Sequence, residues 1–303
     1  MSELVNILRL IRSQGVGPRT FYSLIRKFGN VEEALEYVGE KACPADKALI
    51  EIEQTAKLGI KMLAYNDAAY PSQLTSIYDA PPVLFYKGNT ALLGKTSIGV
   101  VGTRNSSAAG INITRKICTD LGERGYVVIS GLARGIDTEA HKATLASGTI
   151  AVVAGGLDVI YPPENKKLFE QIAEQGLVIG ENPAGTEPVA RHFPQRNRII
   201  AGVAAGILVV EAARKSGSMI TADYGLREGR DVFAIPGSPL DPRSGGTNFL
   251  IKNGAVLVEN ASDIIDNLGK GVAPQLLDLR EESEDDFEAA TPEVVVGPVI
   301  EGG

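Results

Sequence analysis

The sequence predicts a doubly wound α/β fold with a mostly parallel sheet. Short apolar runs such as TIAVVAGG and ILVVEAA alternate with segments of helical periodicity through the middle of the chain. Near-continuous apolar runs are typical of parallel strands that are buried on both faces. Several of these runs end in glycine turns that carry arginine or hydroxyl residues. Such strand–glycine–helix junctions favour a sheet that binds phosphate at its carboxyl edge.

Residues 1–65 are predicted to form a small helical domain. Leucine and isoleucine recur with helical period over residues 4–11, GVGP follows at 15–18, and a second helix is expected to end at Gly29. Helix–GxG–helix is typical of a helix-hairpin-helix unit, in which the glycine turn lets backbone N–H groups approach a phosphate. A plain helical bundle with a tight turn is the alternative.

Residues 66–95 are predicted to be a connector, since three prolines disfavour helix there. Residues 83–86 follow two of these prolines and are expected to form an edge strand of the larger domain. Residues 96–268 then alternate strand and helix, with helical patterns such as 110–124 and 138–147. The strands are expected at 96–101, 126–130, 149–154, 177–179, 206–211, 231–235 and 255–259.

Composition indicates a cytoplasmic protein. No apolar run among the 303 residues approaches the roughly 20 residues of a membrane span, and charges inside the first apolar pattern argue against a signal peptide. Cys43 and Cys118 lie far apart without CxxC spacing, which favours reduced thiols.

The net charge of −7 is unevenly distributed along the chain. Residues 271–303 contain nine acids and one base, whereas residues 1–270 contain 29 Lys and Arg against 28 Asp and Glu. The acidic, apolar-poor segment 269–303 is expected to be disordered. The negative net charge does not exclude nucleic-acid binding by residues 1–270, because binding depends on local clusters of charge.

The candidate phosphate ligands follow the first, second and fifth strands of the 96–268 segment and open the helix before the fifth. They are Gly102, Thr103 and Arg104; Gly131, Leu132, Ala133, Arg134 and Gly135; Arg191, Phe193, Arg196, Asn197 and Arg198; and Lys215, Ser216, Gly217 and Ser218. We expect Thr103 to donate its hydroxyl and backbone N–H to phosphate, and Arg104 to bind phosphate oxygens bidentately. Phe193 is expected either to stack on a base or to lie in the core.

No catalytic centre is visible in the sequence. The chain lacks an evident nucleophile–base pair and lacks histidine or cysteine at metal-ligand spacing, so we expect no enzyme, no metal and no cofactor. Asp137 is predicted to cap a helix, and His141 is predicted to be structural. Asp158 and Glu211 end strands, but nothing in the sequence pairs them.

Specific motifs resemble those of the DNA-processing protein A family, DprA, also called Smf. The resemblance covers about residues 66–258 and rests on GTRNSSAAG, SGLARGIDTEAH, TIAVVAGGLDVIYPPEN, FPQRNRIIAG, LVVEAARKSGSMITA, GRDVFAIPG and NFLIKNGA. It implies a SAM-like or helix-hairpin-helix domain before an extended Rossmann-like domain. It also implies binding of single-stranded DNA during natural transformation, loading of the RecA recombinase, and a homodimer. Arg104 would be a central DNA ligand, with the other candidate loops lining one groove.

Two rival functions stay open at this point. One is a nucleotide-processing enzyme resembling the lysine-decarboxylase-like phosphoribohydrolases, whose PGGxGT turn is absent here. The other is a dinucleotide-dependent enzyme, which the missing GxGxxG disfavours. The C-terminal segment also lacks the basic helix-turn-helix pattern of the winged-helix domain in which many members of the resembled family end.

Overall fold

A computed structural model describes residues 2–270 of the chain, so the expectation for the acidic segment falls almost wholly outside the described residues. The helical domain contains α1 (Glu3–Ile11), α2 (Pro18–Phe28), α3 (Val31–Val38) and α4 (Ala45–Lys57). Gly29 ends α2 at φ 84°, a left-handed conformation that favours glycine. Asn30 then caps α3 by accepting a hydrogen bond from the Glu33 N–H at 2.8 Å.

The described residues form one sheet of nine strands, in the order β1-β2-β6-β5-β4-β3-β7-β8-β9. The pairings from β6 through β9 are parallel, whereas β1–β2 and β2–β6 are antiparallel. The strands are β1 (Lys61–Ala64), β2 (Val83–Gly88), β3 (Ser97–Val101), β4 (Val127–Ser130), β5 (Thr149–Val152), β6 (Leu177–Gly180), β7 (Gly206–Val209), β8 (Asp231–Ala234) and β9 (Val256–Leu257).

Two features at one end of the sheet differ from expectation. Strand β1 was assigned to the helical domain, and β2 was expected to be an edge strand. Instead β2 pairs on both sides, with β1 and with β6, and β1 forms the edge. Pro81 and Pro82 are accommodated because both precede the first residue of β2.

Helices cover both faces of the sheet, which confirms the predicted doubly wound fold. Helices α9 and α10 contribute to a core cluster on one face, while α6, α7 and α12 contribute to a cluster on the other. The remaining helices are α5 (Ser72–Thr75), α6 (Ala108–Glu123), α7 (Ile136–Thr144), α8 (Lys166–Gln175), α9 (His192–Val203), α10 (Gly217–Arg227), α11 (Gly245–Lys252) and α12 (Ala261–Asn267). Within residues 2–270, no helix is long and apolar enough to cross a membrane.

The helical domain packs against the β1–β2 end of the sheet. Its buried core includes Phe21 together with Ala64 of β1 and Val83 of β2. The rings of Phe21 and Tyr65 meet edge to face with centroids 5.5 Å apart. The helical domain and the sheet therefore share part of one apolar core.

The strand order reverses at β3, which lies between β4 and β7. Strands β4 to β6 follow on one side of β3, and β7 to β9 follow on the other. The run β5-β4-β3-β7-β8-β9 has the order of a Rossmann fold, in which ligands bind beyond the carboxyl ends of the strands at this reversal. The loops after β3, β4 and β7 therefore lie where the sequence predicted the site.

Candidate nucleic-acid interface

The loop after β3 presents Arg104 at the surface. A Cβ on Gly102 would lie 2.5 Å from Ile136 Cγ1, so only glycine allows this close approach to α7. Arg104 is exposed, as expected, and its guanidinium lies 5.4 Å from the centroid of the Phe193 ring. The expectation for the Thr103 N–H is wrong, because that group donates to the Glu211 carbonyl oxygen at 2.7 Å.

The loop after β4 is held by an internal carboxylate. Asp137 Oδ2 accepts hydrogen bonds from the N–H groups of Gly131 and Ala133 at 3.1 and 3.3 Å. Burial raises the pKa of Asp137, although nearby Arg196 and the loop amides oppose this. Asp137 therefore ties the loop to the first turn of α7, and the Gly131 and Ala133 amides have an internal acceptor.

The other residues of this loop differ in exposure. Leu132 is fully buried at φ 56°, and Gly135 has φ 73°. A Cβ on Gly135 would lie 2.3 Å from the Thr103 carbonyl oxygen, so the two loops pack tightly against each other. Arg134 points outward and forms an ion pair with Glu164 at 2.6 Å. Among residues 131–135, Arg134 is the cation that a surface phosphate can reach.

Arg196 lies beneath these loops and is 6% exposed. Its Nη1 donates to the carbonyl oxygens of Gly131 and Val152. Burial lowers its pKa to about 10, which still leaves it protonated at neutral pH. The expectation of an exposed phosphate ligand does not hold for Arg196, because its donors hold the loop after β4 and the end of β5.

Arg198 is also 6% exposed and is directed toward a different part of the molecule. Its Nη2 donates to Glu181 at 2.5 Å, and its Nε lies 3.6 Å from Asp79. Arg198 lines a cleft of about 490 Å³ between the helical domain and the sheet. The predicted basic patch is therefore divided: Arg191 is exposed, whereas Arg196 and Arg198 are buried residues of α9 that bind different parts of the molecule.

The loop after β7 leads into α10. Lys215 and Gly217 are exposed, and Ser218 is buried. Ser216 is the N-cap residue, but within the described residues its Oγ makes no capping bond and has no hydrogen-bond partner. Asn197 donates from Nδ2 to the Gly217 carbonyl oxygen at 3.2 Å and thereby joins α9 to this loop. An uncapped helix N-terminus favours an anion.

Phe193 is half-buried and pairs with an exposed aromatic ring. Tyr161, which is 44% exposed, meets it edge to face with ring centroids 5.6 Å apart. Sequence reasoning missed Tyr161, although a tyrosine beside two prolines in the loop after β5 was a usable signal. The cavity beneath the two rings is only about 10 Å³, which is room for one water at most. A base can therefore contact these rings only from the outer surface.

The acid–base candidates from the sequence have structural partners. His141 is fully buried, and its Nδ1 lies 2.7 Å from Thr149 Oγ1. Burial lowers its pKa to about 3. The burial and the contact with Thr149 agree with the predicted structural role. Asp158 binds the Gly185 N–H through both carboxylate oxygens at 2.9 Å. The residues that the structure describes contain no cluster of three or more side chains suited to a metal.

Two family models match the chain. DNA recombination-mediator protein A matches residues 61–269, and the DprA-like N-terminal HHH domain matches residues 1–58. The second match confirms the helix-hairpin-helix prediction. The chain is 50% identical to the DNA processing protein DprA of Streptococcus pneumoniae over 201 residues, 66% of this chain and 71% of that protein. It is 46% identical to the DprA of Bacillus subtilis over 213 residues, 69% of this chain and 72% of that protein.

Solved structures show the same fold. The X-ray structure of DprA from Streptococcus pneumoniae aligns with a TM-score of 0.77 at 38% identity, covering 88% of this chain and 98% of that one. A structure of DNA processing protein A from Helicobacter pylori, described for its single-stranded DNA binding mode, aligns with a TM-score of 0.64 at 29% identity. It covers 70% of this chain and 96% of that one. The match of one family model to more than half of the chain, together with these relatives, shows that the protein belongs to the DNA recombination-mediator protein A family.

Proposed function

We propose that this protein binds single-stranded DNA along the carboxyl edge of its sheet. The observation that carries the proposal is the surface cluster of exposed Arg104 and Tyr161 with half-buried Phe193 between them, at the point where the strand order reverses. Aromatic rings stack on bases of any sequence, and arginine adds charge and cation–π contacts. Because the rings sit on the surface over a very small cavity, they suit bases of a polymer that lies across them.

Phosphate contacts surround this cluster. Arg134, Arg191 and Lys215 are exposed cations on the loops that meet at the edge, and the uncapped N-terminus of α10 lies on the same side. These groups read the DNA backbone and carry no base code. The site therefore fits binding that tolerates most sequences.

The biological role of the proposal rests on the family. The relatives are DNA processing proteins, and the Helicobacter pylori relative binds single-stranded DNA. From the family resemblance we extend the proposal to a cytoplasmic homodimer that acts in natural transformation and helps to load the RecA recombinase. On this proposal the protein binds and delivers DNA without chemically altering it.

A nucleotide-processing enzyme is the weaker alternative. The loop after β7 reads AARKSGS in place of the PGGxGT turn of the lysine-decarboxylase-like proteins. Within the described residues, the Tyr161 and Phe193 rings enclose no space large enough for a nucleotide. Both observations favour an open binding surface over an enclosed active site.

Fluorescence anisotropy with matched probes tests the proposal. A labelled single-stranded oligonucleotide is titrated with the protein and then competed with unlabelled single strand, blunt duplex, nucleoside monophosphate or NAD. We expect the single strand to compete best and the nucleotides to compete poorly. Binding of a mononucleotide or NAD at least as tight as that of the oligonucleotide would favour the enzyme alternative instead.

A further inference from the structure

Glu211 is a carboxylate in the loop after β7, the strand that pairs with β3. It lies two residues beyond the end of β7 and is partly buried. The proposed DNA site assigns it no role, and an acid beside a phosphate-binding edge is unfavourable for the ligand unless it serves another purpose.

The carboxylate of Glu211 contacts the start of α6. Its Oε2 accepts a hydrogen bond from the Ser107 N–H at 2.9 Å, and its Oε1 accepts one from the Ser107 hydroxyl at 2.5 Å. A Cβ on Gly110 would lie 2.6 Å from the Glu211 carboxyl carbon, so the group sits directly against the first helical turn. Gly110 therefore leaves room that the carboxylate fills.

This position is the phosphate position of the Rossmann fold. Strand β3 takes the place of the first strand in the Rossmann order, and in dinucleotide-binding proteins the pyrophosphate lies at the N-terminus of the helix that follows that strand. Here the N–H and hydroxyl donors at the N-terminus of α6 already bind an anion, and that anion belongs to the protein.

We propose that Glu211 is a specificity-determining residue that closes the α6 phosphate position to free phosphate and to the pyrophosphate of dinucleotides. Charge repulsion and occupied donors both act against a second anion there. A DNA strand then meets only the outer groups of the edge, namely Arg104, the exposed cations and the start of α10. The inference rests on the proposed function and deepens it, because it gives a reason why nucleotides are excluded. Its test uses phosphate and pyrophosphate and does not require DNA.

The test compares Glu211→Ala and Glu211→Gln with the unaltered protein. Thermal unfolding and isothermal titration are run with inorganic phosphate and with pyrophosphate, against sodium chloride at matched ionic strength. We expect phosphate to raise the Tm of Glu211→Ala about 2–4 °C more than that of the unaltered protein, because a ligand that binds only the folded state stabilises it. Glu211→Gln keeps most of the volume and removes the charge, so a smaller gain is expected.

Two controls define the result. Glu187→Ala removes an exposed carboxylate from the loop after β6 and should respond to phosphate like the unaltered protein. Arg104→Ala combined with Glu211→Ala should keep the gain, which separates this anion position from the proposed DNA contacts. If phosphate stabilises neither Glu211 variant beyond the response of the unaltered protein, the inference is overturned, whether or not DNA binding is confirmed.

Discussion

The position of Arg104 depends on two glycines, Gly102 in its own loop and Gly135 in the loop after β4. Gly102 lies against Ile136, and Gly135 lies against the Thr103 carbonyl oxygen, at distances that no side chain permits. The two loops therefore pack closely, with Gly102 against the Ile136 side chain and Gly135 against the backbone of residues 103 and 104, and Arg104 is exposed to solvent. A site built in this way depends on few side chains, so single substitutions should separate binding from folding.

Replacing Arg104 with alanine should weaken single-strand binding while leaving the Tm unchanged. A lost charged hydrogen bond to phosphate costs roughly 1.5–3 kcal/mol, which corresponds to about a 10- to 150-fold loss of affinity. The measurement is anisotropy beside thermal unfolding. Arg26→Ala, which removes an exposed arginine from α2, is the matched control. Equal affinities for the two variants would remove Arg104 from the site.

Replacing Tyr161 with alanine should weaken binding without changing its salt dependence. Loss of base stacking costs roughly 1–3 kcal/mol, but no charge is removed. Tyr161→Phe keeps the ring and should keep most of the affinity, and Tyr37→Ala alters an exposed tyrosine of the helical domain as a control. A salt slope that becomes shallower in Tyr161→Ala would indicate that the residue acts through phosphate contacts.

Helix α9 shows how one element serves two regions of the molecule. Arg196 and Asn197 fix the loops after β4 and β7, whereas Arg198 binds Glu181 at the cleft beside the helical domain. Removing a partner from such a buried polar group leaves the remaining groups unsatisfied, which is strongly destabilising. We therefore regard α9 as the element that positions the candidate site, with half-buried Phe193 in its first turn and exposed Arg191 at its N-cap.

Helix α7 should make stability depend on pH through His141. The unfolded chain protonates this residue near a pKa of roughly 6.5, whereas the fold lowers that pKa to about 3. A lowered histidine pKa contributes stability that is full above pH 6.5 and is lost as the pH falls toward 3. At pH 5 the loss is about 2 kcal/mol of the free energy of unfolding.

Denaturant unfolding from pH 7 to pH 5 checks this expectation. His141→Gln should flatten the decline relative to the unaltered protein. His192→Gln is the control. Burial and Arg191 lower the pKa of His192 in the same direction, but His192 is only half-buried, so its replacement should change the decline less than His141→Gln does. The same decline in His141→Gln as in the unaltered protein would show that other groups cause it.

At the scale of the whole molecule, charge distribution determines the response to salt. Arg104, Arg134, Arg191 and Lys215 are exposed cations on loops of the edge, while Arg196 and Arg198 are buried. With a slope of about −0.7 for each phosphate neutralised, log affinity against log salt should fall with a slope of about −2 to −3. Titrations from low to high sodium chloride measure this slope. A flat response would leave stacking alone as the source of affinity.

Deleting residues 271–303 should leave DNA affinity equal or modestly higher. The segment has nine acids and one base, and such charge competes with DNA for the same cations at low salt, where screening is weak. Affinity of the truncated chain is compared with that of the full chain and of a full-length variant whose acids are changed to amides. Weaker binding by both altered chains would show that the acidic segment contributes to the site.

The sequence by itself determined the fold class and the location of the candidate site. Apolar runs ending in glycine turns are local signals, and they predicted the doubly wound sheet and the exposure of Arg104. Helical periodicity, also a local signal, predicted the helical domain before the sheet. The edge strand β1 was missed because its four residues follow a helix without a distinct pattern. A strand so short is identified by its pairing, and pairing is a property of distant residues.

Only the tertiary structure decided which polar groups are available to a ligand. Arg196 and Arg198 look like Arg104 in the sequence, but they are buried because α9 packs against the sheet and against α5 and α10. Likewise the amides of Thr103, Ser107 and Gly131 look open at glycine turns, yet Glu211 and Asp137 fold back onto them. A residue's type gives its chemistry, whereas its partner can lie about a hundred residues away in the chain, as for Ser107 and Glu211, and no local pattern records such a contact.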